Sequence, residues 1–369
     1  MLINSFQKKL FTMRTLFKNT VELLPLTKKH FFQRFPNATA YGLAGYLCNI
    51  KIAKPLTKPI YAQIEPTTNC NLHCKMCKKS IEKQNSKQND LAFDDFKKII
   101  DSLPTVLHVS IVGFGEPLLN KNLDRMILYC SKNKQKVSTV TNAQLLTGKM
   151  SKKLLESGLS SIGISIDGAT KETYEKARDG ASFKKLMQNV KRFVKTKNRL
   201  SPSTKTYLLF VLTKNNAKEL SKIVRLAKTL KLNGVMAQHI QFTGGYPKTN
   251  LSESILFSTE KKQLQEEIKK SRKLAKRYCL EYSIQGFEKD KRQTCHWLWA
   301  GVYITKEGNI APCCTLPTVS FGNILNKQFN EIWGSKEYVD FRKAHICKNF
   351  PEPCKKCNYF YFKNELVTV

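Results

Sequence analysis

The chain has 369 residues, 41% apolar and 25% charged, an ordinary globular composition that excludes wholesale disorder and leaves room for two or three domains. No apolar run approaches the roughly 20 residues of a membrane-spanning helix. The opening MLINSFQKKLFTMRTLF also lacks a compact apolar region with a small-residue cleavage site, so a cytoplasmic location is expected. Lys and Arg number 63 against 28 Asp and Glu, and this charge of +35 favours anionic partners, although lysines dispersed along the whole chain equally reflect a composition bias.

Residues 1–58 read as a basic helical extension with ten Lys/Arg and one acidic residue. Phe6, Leu10, Met13, Phe17, Val21 and Leu24 recur at three- and four-residue steps up to Pro25, the pattern of an amphipathic helix. Such a helix over residues 1–25 can make a peripheral contact with an anionic membrane surface, but more often it packs on the neighbouring domain.

From 59 to 245 short apolar runs alternate with helical periodicity. Strands are predicted at Ile60–Pro66, Leu107–Val112, Lys136–Thr141, Ser161–Asp167, Lys205–Thr213 and Gly234–Phe242. Helices are predicted at Phe93–Leu103, Lys121–Asn133, Gly148–Ser157, Ser182–Lys197 and Ala217–Lys231. This alternation specifies an α/β fold of stacked βα units on a parallel sheet, with the chemistry at the C-terminal ends of the strands. Residues 246–290 read as a helical connector containing a charged helix, Thr259–Tyr278. Residues 291–369 form a small Cys-rich α+β domain with a hairpin, Ala300–Thr305 and Asn309–Pro312, turned at Lys306-Glu307-Gly308.

Twelve cysteines in an intracellular chain point to metal or cluster ligation rather than disulfides. Cys48, Cys130 and Cys279 stand alone, as small buried hydrophobes do. Cys70, Cys74 and Cys77 follow the first strand directly, with spacings of three and two residues between them. Three thiolates around one point fall short of the four ligands of a structural zinc, whereas an iron–sulfur cube held by three keeps one iron open. His73, between two of them, reads as a solvated loop histidine.

This C-x3-C-x2-C run after the first strand resembles the radical S-adenosylmethionine (radical SAM) superfamily, and further motifs follow in register with the strands. Gly113-Phe-Gly115-Glu116-Pro117 is similar to the family's Gly-Gly-Glu-Pro segment, with Phe114 in place of a glycine. Thr141-Asn142-Ala143 resembles its Thr-Asn-Gly, and Ser165-Ile-Asp167-Gly168 and Arg178-Asp179-Gly180 complete the series. The resemblance implies a partial (βα)6 barrel of parallel strands, a SAM-binding 4Fe–4S cluster on Cys70, Cys74 and Cys77, and S-adenosyl-L-methionine as cofactor. It places Met76 beside the adenine, Gly115 and Glu116 at the ammonium, and Ser165 and Arg178 at the carboxylate, with Asn142 and Asp167 in the same site. The strand residues Gln238-His239-Ile240-Gln241 would supply backbone contacts to the adenine. Without the family name the demand is the same: a zwitterionic sulfonium needs an acid, a cation and an apolar slot.

In the C-terminal segment Cys295, Gly308 and Cys313, then Phe321-Gly-Asn-Ile324, Glu331-Ile-Trp333 and Phe341-Arg342, then Cys347, Cys354 and Cys357, resemble the SPASM module and its shorter relative Twitch. That resemblance implies one auxiliary 4Fe–4S cluster on Cys295, Cys313, Cys354 and Cys357. Cys347 and Cys314 are in reserve, with Cys314 expected to point away. A four-cysteine zinc is the alternative.

The activity implied is reductive cleavage of SAM to a 5′-deoxyadenosyl radical that abstracts hydrogen from a substrate C–H. Net oxidation or crosslinking would follow with the help of the auxiliary cluster, with a flavodoxin or ferredoxin as external electron donor. The substrate is a peptide or protein side chain, a sugar or another small molecule, and the charge favours an anionic one. His239, Gln241 and Tyr246 lie near the mouth, but none is marked as a general base. A nucleic-acid-binding protein with structural Cys-ligated metal is the competing reading; no RNA-recognition signature and no basic stripe interleaved with aromatics supports it.

Overall fold

The computed structural model describes residues 52–55, 57–81, 90–241, 261–289, 295, 297–355, 357 and 362–367. The amphipathic helix over residues 1–25, Cys48, Phe242 and Tyr246 lie outside the described residues. All six predicted strands form: β1 Tyr61–Ile64, β2 His108–Ile111, β3 Lys136–Thr141, β4 Ser161–Ser165, β5 Lys205–Leu212 and β6 Gly234–His239. Each pairs in parallel with the next. The helices are α1 Lys78–Ile81, α2 Phe93–Asp101, α3 Leu123–Lys132, α4 Gly148–Glu156, α5 Lys171–Ala177, α6 Phe183–Leu200 and α7 Leu220–Thr229.

Local chemistry explains where the helices start and which faces they bury. Thr147, Thr170 and Ser182 accept a backbone N–H three residues on, at Met150, Thr173 and Lys185, and so cap α4, α5 and α6. The apolar stripe of α2 buries Phe96, Ile99 and Ile100, and that of α6 buries Leu186, Val190 and Phe193, against alternate strand residues such as Ala62, Ile64, Val137 and Ile162. Each fully buried large side chain contributes roughly 1.5–3 kcal/mol. Helix α5 is additional to the sequence reading. Its seven residues are too few for a clear stripe, and it is fixed by the fully buried Tyr174.

The sheet extends beyond six strands. Within the connector the charged helix forms as α8, Lys261–Arg277, but it is followed by a strand, β7 Glu281–Lys289, parallel to β6. The connector is therefore not all helical: Tyr282 and Ile284 are buried on one side, which marks a strand once a helix has returned the chain to the sheet edge. After α9, Trp297–Ala300, the predicted hairpin forms as β8 Gly301–Ile304 and β9 Ile310–Ala311. Gly308 takes φ +85° in its turn, a conformation other residues rarely adopt. This hairpin joins the main sheet, with β8 parallel to β1. The C-terminal elements α10 Phe329–Trp333, α11 Lys336–Ile346 and α12 Glu352–Lys355 follow, and β10 Phe362–Val367 returns antiparallel to β7. The order is β10-β7-β6-β5-β4-β3-β2-β1-β8-β9, so a parallel run is closed by an antiparallel strand at each edge. The Trp299 and Trp333 indoles donate to the carbonyls of Ile52 and Thr57, 3.0 Å each, and pin the chain before β1 onto the C-terminal elements.

No described helix is long and apolar enough to cross a membrane. Of the lone cysteines, Cys130 is buried on α3, whereas Cys279 is exposed, contrary to expectation. It occupies the α8–β7 turn at φ +51°, where the chain reverses outside the core.

Candidate active site and second cysteine group

The loops that follow β1 to β6 enclose one cavity of about 240 Å³. Its walls include Cys70, Cys74, Met76, Cys77, Gly115, Glu116, Asn142, Ser165 and Arg178 from the expected set, with Gln238 at the end of β6 and Ile240 and Gln241 beyond it. Residues spread over more than a hundred positions meet here because parallel strands all end on one face.

Close backbone approach builds the first wall. A Cβ on Gly115 would lie 2.3 Å from the Thr67 carbonyl oxygen and 2.6 Å from that of Asn69, so only glycine lets the two loops touch. The Glu116 N–H donates to that Asn69 carbonyl at 2.7 Å. The Glu116 carboxylate is buried and accepts from Thr141 Oγ1 (2.7 Å), Leu118 N (3.1 Å) and Asn142 N (2.8 Å). Burial raises its pKa above the usual carboxylate range, against those hydrogen bonds. Asn142 donates to Asn71 Oδ1 at 3.0 Å and accepts from Gln144 N at 2.9 Å, tying the third-strand loop to the cysteine loop.

Arg178 stands at the C-cap of α5, and the His73 N–H donates to the carbonyl of its neighbour Asp179 at 3.1 Å. Its Nη2 pairs with Asp167 Oδ2 at 2.7 Å. Burial opposes the guanidinium charge, but Asp167, with Cys74 and Tyr174, outweighs it and holds the pKa above its ordinary value. Asp167 is fully buried behind Arg178, accepts from Val211 N at 2.9 Å and does not line the cavity. It braces the cation from behind, a geometry that β-strand spacing could not reveal. The Arg178 Nε is buried with no hydrogen-bond partner, an unmet donor on the cavity wall.

Residues the sequence reading did not single out complete the site. Leu72, Val112, Val140 and Val211 supply its apolar surface. The buried Glu65 accepts from Phe114 N at 2.9 Å and holds the glycine-rich loop from below. Its position at the end of β1 was the available signal.

The thiols of the cavity share one environment. Burial pushes Cys74 up to about 12, partly offset by Arg178 and reinforced by Asp167, Cys77 and Cys70. Burial also raises Cys70. Such thiols keep their protons unless an electropositive group takes them as thiolates. Among the described residues no three His, Cys, Asp or Glu side chains converge closely enough to hold a single metal ion. The three thiols on the wall of one cavity, with the unmet Arg178 donor beside them, fit a cube held by three thiolates.

The second group gathers around the β8–β9 hairpin. Burial, with Cys313 and Cys357 nearby, pushes Cys295 up to about 12, and burial with Cys313, Cys357 and Cys295 raises Cys354. Cys314 does not stand apart: burial, Cys313 and Cys357 push it up to about 12, and it acts in turn on Tyr61 of β1. Cys347 is exposed at the C-terminus of α11.

Comparison with known proteins agrees with this arrangement. The radical SAM superfamily model matches residues 64–227, and the model of SPASM, an iron–sulfur cluster-binding domain, matches 295–358. The chain is 27% identical to an AdoMet-dependent heme synthase of Methanosarcina barkeri, over 80% of this chain and 87% of that one. It is 23% identical to a PqqA peptide cyclase of Bradyrhizobium diazoefficiens, over 82% and 79%. In fold it resembles Streptococcus suis SuiB bound to its precursor peptide SuiA, with a TM-score of 0.65 and 18% identity over 88% of this chain and 74% of that one. The core of this family binds a 4Fe–4S cluster and SAM, and the module carries auxiliary iron–sulfur chemistry. The chain belongs to the radical SAM superfamily and is an enzyme with a C-terminal SPASM domain.

Proposed function

We propose that the enzyme oxidises or crosslinks a C–H position of a peptide substrate at the mouth of the cavity, dividing the work between a core at 59–245 and an auxiliary domain at 291–369. Cys70, Cys74 and Cys77 would hold the SAM-binding cube, with Met76, Gly115, Glu116, Asn142, Ser165 and Arg178 around SAM. The observation that carries this reading is the joint presence in one cavity of three thiols, a buried acid and a guanidinium with an unmet donor. When bound, the cube and SAM supply one-electron cleavage of a sulfur–carbon bond.

The protein's own part is orientation and exclusion of water. Asp167 fixes the Arg178 plane, so that its remaining N–H donors face a carboxylate. Thr141, Leu118 and Asn142 fix Glu116, and a carboxylate offers about four lone-pair sites, which leaves one for an ammonium. Leu72, Val112, Val140 and Val211 keep the reacting centre dry. Cys295, Cys313, Cys354 and Cys357 would hold one auxiliary cluster, with Cys314 as the alternative ligand. That cluster would accept the electron left on the substrate, and an external flavodoxin or ferredoxin would supply the first one.

A peptide is favoured because the PqqA cyclase acts on one and SuiB binds one; the heme synthase supports a cofactor precursor instead. The test is anaerobic incubation with SAM, a strong reductant and deuterium-grown extract split into peptide and small-molecule pools. Deuterium appearing in 5′-deoxyadenosine from the peptide pool supports the proposal, and transfer from the small-molecule pool alone rejects it.

A further inference from the structure

Arg342, on α11, is the largest fully buried side chain of the described residues, with no solvent exposure. Its guanidinium carbon stands 3.7 Å from the ring centroid of Tyr338 and 4.1 Å from that of Trp333. Nε donates to the Leu298 carbonyl at 3.0 Å and Nη1 to the Trp333 carbonyl at 2.8 Å. Its partners are thus two carbonyls and two rings, and among the described residues no carboxylate pairs with it. A guanidinium does not give up its proton to escape burial. A buried charge of this kind calls for an opposite one close by.

The neighbouring chemistry supplies a candidate. Leu298, which receives Arg342, donates its own N–H to the carbonyl of Cys295 at 3.2 Å. Burial raises the pKa of Tyr338, stacked on Arg342; the cation opposes that rise, and the thiols of Cys313 and Cys295 add to it. The cation is therefore tied through the Leu298 backbone to that of Cys295, one of the four thiols assigned to the auxiliary cluster. A cluster on four thiolates is anionic, and reduction adds a further negative charge.

We propose that Arg342 is the buried counter-charge of the auxiliary iron–sulfur cluster and raises its reduction potential. This rests on the reading that Cys295, Cys313, Cys354 and Cys357 hold such a cluster. Net charge near a cluster is one of the terms that set its potential. Removing a positive charge disfavours the more negative, reduced state, so the potential must fall.

The experiment uses the full chain with Cys70, Cys74 and Cys77 all replaced by Ala, so that only the auxiliary site contributes iron. Iron content and an EPR-monitored redox titration are compared for the Arg342, Arg342→Lys and Arg342→Met forms. The Met form should hold about tenfold less reduced cluster at a given potential, a fall of about 59 mV for a one-electron couple. The Lys form should recover most of that shift. Loss of the cluster from the Met form alone, with the Lys form loaded, also supports the charge role. Equal potentials in the three forms, or cluster loss from Lys and Met alike, would show a packing role and overturn the proposal. An Arg342 parent with no iron overturns the cluster reading and the proposal with it, and the iron count alone identifies that case.

Discussion

The two cysteine groups use the same side chain for opposite ends. The first sits on a loop at the open face of the sheet, where three thiols share a cavity with polar groups that the protein leaves partly unmet, above all the Arg178 Nε. The second lies among short helices and a hairpin, with more thiols than one cluster needs, and Arg342 is buried on α11 with no carboxylate partner among the described residues. On the proposed reading, a site that must admit a ligand is under-furnished with protein donors and a site that stores an electron is over-furnished. The difference is one of completeness, and substitutions should expose it.

The largest contrast is between single ligands of the two groups. Cys74→Ala should abolish SAM cleavage, with 5′-deoxyadenosine below detection in a reductant-driven assay. Cys357→Ala should keep uncoupled SAM cleavage, lose product, and loosen residues 295–357 to proteolysis, because a short segment without its metal has too small a core. Substantial cleavage by the Cys74→Ala enzyme would erase the distinction between the groups.

Next in size is the Arg178–Asp167 pair. Arg178→Met removes a charge-assisted contact worth about 1.5–3 kcal/mol, so KM for SAM should rise tenfold or more. It also strands the fully buried Asp167, a loss of about 3–5 kcal/mol in stability. The double variant Arg178→Met/Asp167→Asn should recover stability without recovering affinity. If both recover together, Arg178 serves the fold and not the ligand. Gly115→Ala should be milder, about 1–3 kcal/mol. Its Cβ pushes against the Thr67 and Asn69 carbonyls and displaces Glu116, so KM should rise more than global stability falls.

Much of the core was legible in the sequence because its information is local. Strand periodicity put the loops after each strand end on one face, and the family resemblance singled out Cys70, Glu116, Asn142, Ser165 and Arg178 within them. Three features were not legible, for a common reason: each depends on tertiary contacts that hydrophobic periodicity does not report. The buried face of β7 forms only once α8 has returned the chain to the edge of β6. Asp167 looks like a ligand until Arg178 folds over it. The surroundings of Cys314, next to Cys313, form only when the hairpin before it docks on β1.

The smallest effect compares the scaffolds behind the two sites, each of which buries a neutral histidine. Burial, with a contribution from Lys136, pushes His108 down to about 4, and its Nε2 lies 2.7 Å from Ser138 Oγ. Burial alone pushes His345 down to about 4 as well, between Phe341 and Phe350 with ring centroids at 5.4 and 5.2 Å. An unfolded histidine titrates near 6.5, so between about 6.5 and 4 the unfolded state binds more protons than the folded one. The stability from each is complete above that window and is lost as pH falls through it, on the order of 1–2 kcal/mol between pH 7 and pH 5. His345→Phe keeps the ring stack and His108→Gln keeps a hydrogen bond to Ser138, so each should flatten the urea midpoint between those two pH values. Equal flattening by both would mean that the sheet and the C-terminal helices unfold as one unit. Flattening by His108→Gln alone would mean that the auxiliary region opens first, as a separate layer over a core that holds the SAM cavity by itself.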